Sequence, residues 1–144
     1  PRGDLYDEDF LVWTQETARL LRARRLHQID VEHVAEEIED MGLSQKRELL
    51  SRLRTIILHL LKWSYQPGKR KGGWATTVDT QRAELETLLR HSPSLRRAVP
   101  ESIQEVYPRA VGGASRETGL SRNTFPDRCP FTPEQILDED FLPE

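Results

Sequence analysis

Between Ser44 and Pro67 the chain reads SQKRELLSRLRTIILHLLKWSYQP, with Leu49, Leu50, Leu53, Ile56, Ile57, Leu60, Leu61 and Trp63 recurring at helical spacing. At about 100° per residue these positions cover more than half of a helix circumference. A stripe that wide cannot be covered by one neighbour, so the rest of the chain must supply helices that surround this one. Ser44 predicts its N-cap, and Pro67, which restricts the residue before it, predicts its end near Gln66.

The flanking segments carry the same period. Asp7 to Arg25 places Phe10, Trp13, Thr14, Thr17, Leu20 and Leu21 on a first helix, with Asp7 and Glu8 in its opening turn. Asp30 is an N-cap for a second helix whose Val31, Val34, Ala35, Ile38 and Met41 share a face, and Gly42 is its predicted C-terminal stop. A fourth helix is expected from Trp74 to His91, ending at Ser92-Pro93. Leu95, Val99, Ile103, Val106, Tyr107 and Ala110 define a fifth, bent or broken by Pro100 and Pro108 and fraying into Gly112-Gly113. Near the C-terminus, Thr132, Pro133 and Gln135 fit the N-cap, first position and third position of a capping box, with Phe131 and Ile136 in the hydrophobic-staple positions. No segment alternates with a strand period. The expected fold is all-α, a single compact bundle of about five main helices plus a short C-terminal helix. One domain spans 1–144, with a core over about 5–119 and a tail, 120–144, packing on it. The pentapeptide DEDFL occurs at Asp7 to Leu11 and again at Asp138 to Leu142, but its flanks diverge at once, so it marks no repeat.

The order of features resembles a known family. LYDEDFLVW, DVEHVAEEIEDMG, RLRTIILHLLKWSYQP, a basic loop with Trp74, HSPSL and FPDRCPFTPEQILDEDFLP follow one another as in the bacterial family catalogued as domain of unknown function number 29. That resemblance covers Leu5 to Pro143. It implies a compact helical bacterial protein and brings no catalytic residues to carry over.

A net charge of -3 supplies no overall basic field, so any attraction to nucleic acid must be local. The single Cys129 rules out an internal disulfide and a cysteine-based zinc site, and fits a reducing compartment. No signal-like or membrane-spanning run is evident, so a cytoplasmic protein with no membrane role is expected. His27, Asp30 and His33 fall three apart, with Glu36 and Glu37 beyond. Metal sites in bundles draw Glu-x-x-His pairs from two helices, and no second helix supplies one; no metal or cofactor is expected.

Two constellations carry possible chemistry. Arg54 and His59, or Arg52 and His59, have the loose spacing of the ribonuclease signature in the helical domain family named for higher eukaryote and prokaryote nucleotide binding. There an arginine stabilises phosphate charge and a histidine supports acid-base cleavage without metal. Arg52 lies about 20° from His59 around the axis and Arg54 about 140°, so only Arg52 is placed to share a phosphate with it. The competing reading makes His59 a structural residue at the stripe's margin and pairs Arg52 with a carboxylate. Lys69, Arg70 and Lys71 precede Gly72-Gly73 and Trp74, a set able to contact an anion or a nucleic acid, while Trp63 and Trp74 also read as core packing. The leading expectation is a non-enzymatic interaction module that binds a protein partner or itself, motivated by the wide stripe together with Leu58 on its far side. The alternative is an RNA-binding or RNA-cleaving domain using the Arg/His pair and the basic loop.

Overall fold

The computed structural model describes residues 2–144, with side chains from Leu5 onward. It is all-α, with no strand among the described residues. Among the described residues six α-helices follow in order: α1 Arg2–Glu8, α2 Phe10–Arg22, α3 Val31–Tyr65, α4 Gly72–His91, α5 Val99–Thr118 and α6 Pro133–Leu137. They gather into two compact units, Pro1–Ser44 and Gln45–Glu144.

In the first unit the helix expected from Asp7 begins instead at Phe10, and Asp7 and Glu8, expected in its opening turn, end α1. Asp9 leaves the helical region and its carboxylate accepts from the Val12 amide at 3.0 Å, so α2 begins with its own N-cap. The other end of α2 closes through Arg24, whose φ of 61° is left-handed. The Arg25 amide then reaches back to the Leu20 carbonyl and the Arg24 amide to Leu21, a Schellman closure made without glycine.

The expected second and third helices are one. α3 runs unbroken for 35 residues, about 50 Å, through Gly42 and Ser44. A glycine stops a helix when the chain turns left-handed there, and Gly42 does not. Inside a helix it costs only about 1 kcal/mol relative to alanine, which good helix formers on both sides readily offset. Asp30 does cap this helix, accepting from the His33 amide at 3.3 Å, and Pro67 follows its end.

In the second unit, Leu49, Leu53, Ile56, Ile57, Leu60 and Leu61 of α3 are fully buried against α4 residues Val78, Leu85 and Leu89, and α5 residues Val99, Ile103, Val106 and Ala110. Leu58, expected on an open far side, is buried as well. A Cβ at Gly113 would overlap its side chain, so a glycine there permits α5 to approach α3. Packed against α3 in this way, α5 does not fray at Gly112-Gly113, and it does not break at its prolines either. Pro100 sits in its first turn, where no internal bond is lost, and Pro108 is accommodated inside the helix. The helix ends at Gly119, whose φ of 79° is the left-handed stop.

The tail returns to this core. Thr132 and Gln135 form the expected capping box, and Phe131 and Ile136 are both buried. Tyr107 donates to the Pro126 carbonyl at 2.6 Å, and burial pushes its pKa up to about 12. Arg82, buried in α4, donates from three nitrogens to the carbonyls of Gln135, Ile136 and Phe141. Burial also lowers its pKa, opposed by the charges of Asp138 and Asp79.

Candidate functional site

Arg52 and His59 each engage partners of their own. The Arg52 Nε donates to Glu48 one turn earlier at 2.8 Å, one terminal nitrogen donates to Gln81 of α4 at 3.0 Å, and the other lies 3.7 Å from Glu84. Its charge is therefore answered within the fold, by its own helix and by α4 rather than by the acidic run near Glu36. His59 is half-buried and donates from Nδ1 to the Thr55 carbonyl at 2.9 Å, a bond to its own helix that leaves Nε2 as its free nitrogen. Neither residue lines the clefts of this unit described below.

The basic loop is divided in the same way. Arg70 folds back, its Nε donating to the Trp63 carbonyl at 2.9 Å and its guanidinium resting 4.8 Å from the centre of the Trp63 ring. Lys69 and Lys71 remain exposed. Trp74 is taken by Lys62, whose ammonium stands 4.6 Å from the ring centre and 2.8 Å from Glu117. Both tryptophans, expected in the core, are half-buried and each faces a cation, because the polar ends of Lys62 and Arg70 reach across their faces. One face of Trp74 is thus occupied by Lys62.

Arg54 has a different setting. It is exposed and lines a cleft of about 540 Å³ between α3 and α5 together with Arg47, Leu50, Ser51, Glu105, Val106 and Arg109. Arg47, Ser51 and Arg54 are spaced by four and three on α3, and Glu105 and Arg109 by four on α5, so each set forms one ridge of the groove. Those spacings were visible in the sequence. Their convergence was not, since it depends on the register between two helices. A second cleft, about 510 Å³, is bordered by Asp79, Arg82, Glu86, Glu139 and Asp140, where the tail meets α4.

The first unit holds an aromatic cluster. Tyr6 stacks on His33 at 3.8 Å between ring centres and meets Trp13 edge-on at 4.9 Å, while its hydroxyl donates to Glu37 at 2.6 Å. That bond to a carboxylate is the main reason the Tyr6 pKa is pushed up to about 12. His33 bonds through Nδ1 to Asp30. This bond raises the His33 pKa, with partial burial opposing and the charges of Asp30, Glu36 and Asp7 assisting, and it lowers that of Asp30. His33, Asp30 and Glu37 bond within this cluster, and no group of three ligating side chains converges among the described residues.

The sign of the pH dependence follows. With a folded pKa above its ordinary 6.5, His33 contributes stability that is complete below pH 6.5 and is lost as pH rises through the folded value. Asp30, with a folded pKa below 3.8, contributes above pH 3.8 and loses that contribution as pH falls through its own folded value. The first unit should therefore be best protected between these limits. An NMR titration of the His33 ring should show a midpoint above 6.5 that falls in Asp30→Asn; an unchanged midpoint would remove the pair from the account.

The first unit also carries the largest exposed apolar surface. Phe10, Leu11, Val12, Leu21, Leu26, Val31, Ile38, Met41 and Leu43 are all exposed, and beyond Ser44 the only comparable residue among those described is Leu142. Val31, Ile38 and Met41 share a face of α3 with Val34 and Ala35. Ile38 is 62% and Met41 70% exposed. The same angular stripe continues along the helix to Leu49, Ile56 and Leu60, each at 0%. One helix thus carries one apolar stripe, solvated over its first half and covered over its second. Glu32 and Glu39 are exposed along one edge of the solvated stripe, Glu36 and Asp40 are exposed on the opposite side of the helix, and there is no lysine or arginine between Val31 and Ser44.

No helix of the described residues is long and apolar enough to cross a membrane. No curated protein and no solved structure matches the chain. A family profile does match, over residues 5–142, and the chain belongs to the family described as Domain of unknown function DUF29.

Proposed function

We propose that this protein is a non-enzymatic interaction module whose partner is a cationic amphipathic helix docking on the first half of α3. The observation that carries the reading is the solvated stripe of Val31, Ile38 and Met41, continuous in angle with the covered stripe of Leu49, Ile56 and Leu60. In the second unit that stripe is satisfied by apolar helix faces, so a helix of similar chemistry is the occupant suited to the first half. The carboxylates of Glu32 and Glu39, along one edge of the stripe, select lysine and arginine on that flank. They also disfavour a second copy in the same place, because two such faces would bring like charges together. The engagement of Arg52 by Glu48 and Gln81, and of His59 by its own helix, supports reading both as structural residues.

The test uses a labelled helical peptide with leucines at a three- and four-residue spacing and lysines elsewhere, followed by fluorescence anisotropy. Binding is expected, and Ile38→Glu with Met41→Glu should weaken it at least about tenfold, since interface-centre residues carry more than about 1.4 kcal/mol each. The helical circular dichroism should be unchanged, because both sites are solvated. A glutamate-for-lysine version of the peptide should not bind. Equal binding by the double variant, or sedimentation as a dimer that Ile38→Glu dissociates, would overturn the assignment.

A further inference from the structure

Some cations of the second unit are answered by counter-charges or carbonyls: Arg52 by Glu48, Lys62 by Glu117, Arg90 by Glu86, Arg82 by the tail. The α3–α5 groove gathers three that are not. Arg47, Arg54 and Arg109 line it together, and none of the three forms an ion pair among the described residues. Glu105 stands one turn before Arg109, a spacing that favours pairing on a helix, yet the two are not bridged. Three guanidinium groups around one concavity repel each other, and one carboxylate offsets only part of that charge. The groove thus carries a local excess of positive charge.

We infer that this groove binds a phosphorylated small molecule, with the phosphoryl oxygens held by Arg47, Arg54 and Arg109 and the body of the ligand lying on Leu50 and Val106. Guanidinium forks match phosphate oxygens geometrically, and Ser51 adds a hydroxyl donor on the same ridge as Arg47 and Arg54. The volume, about 540 Å³, is that of a small-ligand site, and the half-buried Leu50 and buried Val106 give it an apolar floor. A nucleic-acid backbone is less well suited. It would require cations extending beyond one groove, whereas the chain as a whole is net negative at -3 and Glu105 lies on the rim. The site is separate from the α3 face assigned to a partner and does not rest on that assignment.

Isothermal titration with pyrophosphate and with adenosine 5′-triphosphate, at low salt and without metal, separates the phosphate from the body. Both should bind saturably at one site, the nucleotide more tightly because it covers the floor. Arg54→Ala with Arg109→Ala should weaken both at least about tenfold, the loss expected from removing charge-assisted hydrogen bonds. These side chains are exposed and unpaired, so the helical signal should not change. Glu105→Gln should strengthen both several-fold, a gain that no folding defect imitates. Absence of saturable binding by either probe, indifference to the arginine variant, or displacement of the nucleotide by single-stranded RNA with an affinity that grows with RNA length would each overturn the inference.

Discussion

Replacing Arg82 by alanine should detach the C-terminal tail and lower the unfolding free energy by about 3 kcal/mol, the range expected when a buried charged hydrogen-bonding group is removed and its partners are stranded. Two of the three carbonyls it serves, those of Gln135 and Ile136, lie in the last turn of α6, where helical carbonyls have no partner of their own and where positive charge is favoured. α6 has only five residues, too few to be helical alone, so its order depends on what it docks against. Arg82, the buried Ile136 and the Thr132 capping box are its three supports. The guanidinium serves three carbonyls from three nitrogens spread over a planar fork, whereas the three N–H donors of a lysine ammonium sit at one point, so Arg82→Lys should recover less than half of the loss. Urea denaturation gives the energy, and limited proteolysis after Phe125 reports tail release. A variant within 0.5 kcal/mol of wild type, the usual scatter of surface substitutions, would refute the clamp.

What could be read beforehand follows from how local each signal is. The capping box at Thr132 and Gln135, the Asp30 cap and the stops at Pro67 and Ser92-Pro93 are decided within a few residues, and all stand in the structure. The glycines misled because the same residue serves two purposes. Gly119 supplies a left-handed stop, whereas Gly113 removes a side chain that would collide with Leu58, 55 positions away in sequence. Nothing local separates these uses, and Gly42 serves neither. Arg52 and Arg54 show the same limit for the candidate sites: two neighbouring arginines, one engaged by Gln81 and Glu84, the other left in a groove shared with Glu105 and Arg109. Their difference is decided by where α4 and α5 lie along α3.

The two halves of the α3 stripe permit a paired comparison in which sequence chemistry is held constant and only the environment changes. Ile56→Ala removes a fully buried side chain and leaves a cavity among helices that cannot close on it, so a loss of about 3 kcal/mol is expected, within the 2 to 5 typical of such truncations. Ile38→Ala removes the same atoms from water-exposed surface at 62% exposure, and alanine is the better helix former, so the change should be within about 0.5 kcal/mol of zero. Equilibrium denaturation of the isolated chain decides between them. If Ile38→Ala also cost several kcal/mol, the first half of the stripe would already be covered in the free protein, and no surface would remain there for a partner. If the contrast holds, addition of the cationic peptide should protect the wild-type chain against unfolding through binding to the folded state and should protect Ile38→Ala less. That conversion of a neutral surface substitution into one that matters only when the partner is present is the behaviour a docking face requires, and a core position such as Ile56 cannot imitate it.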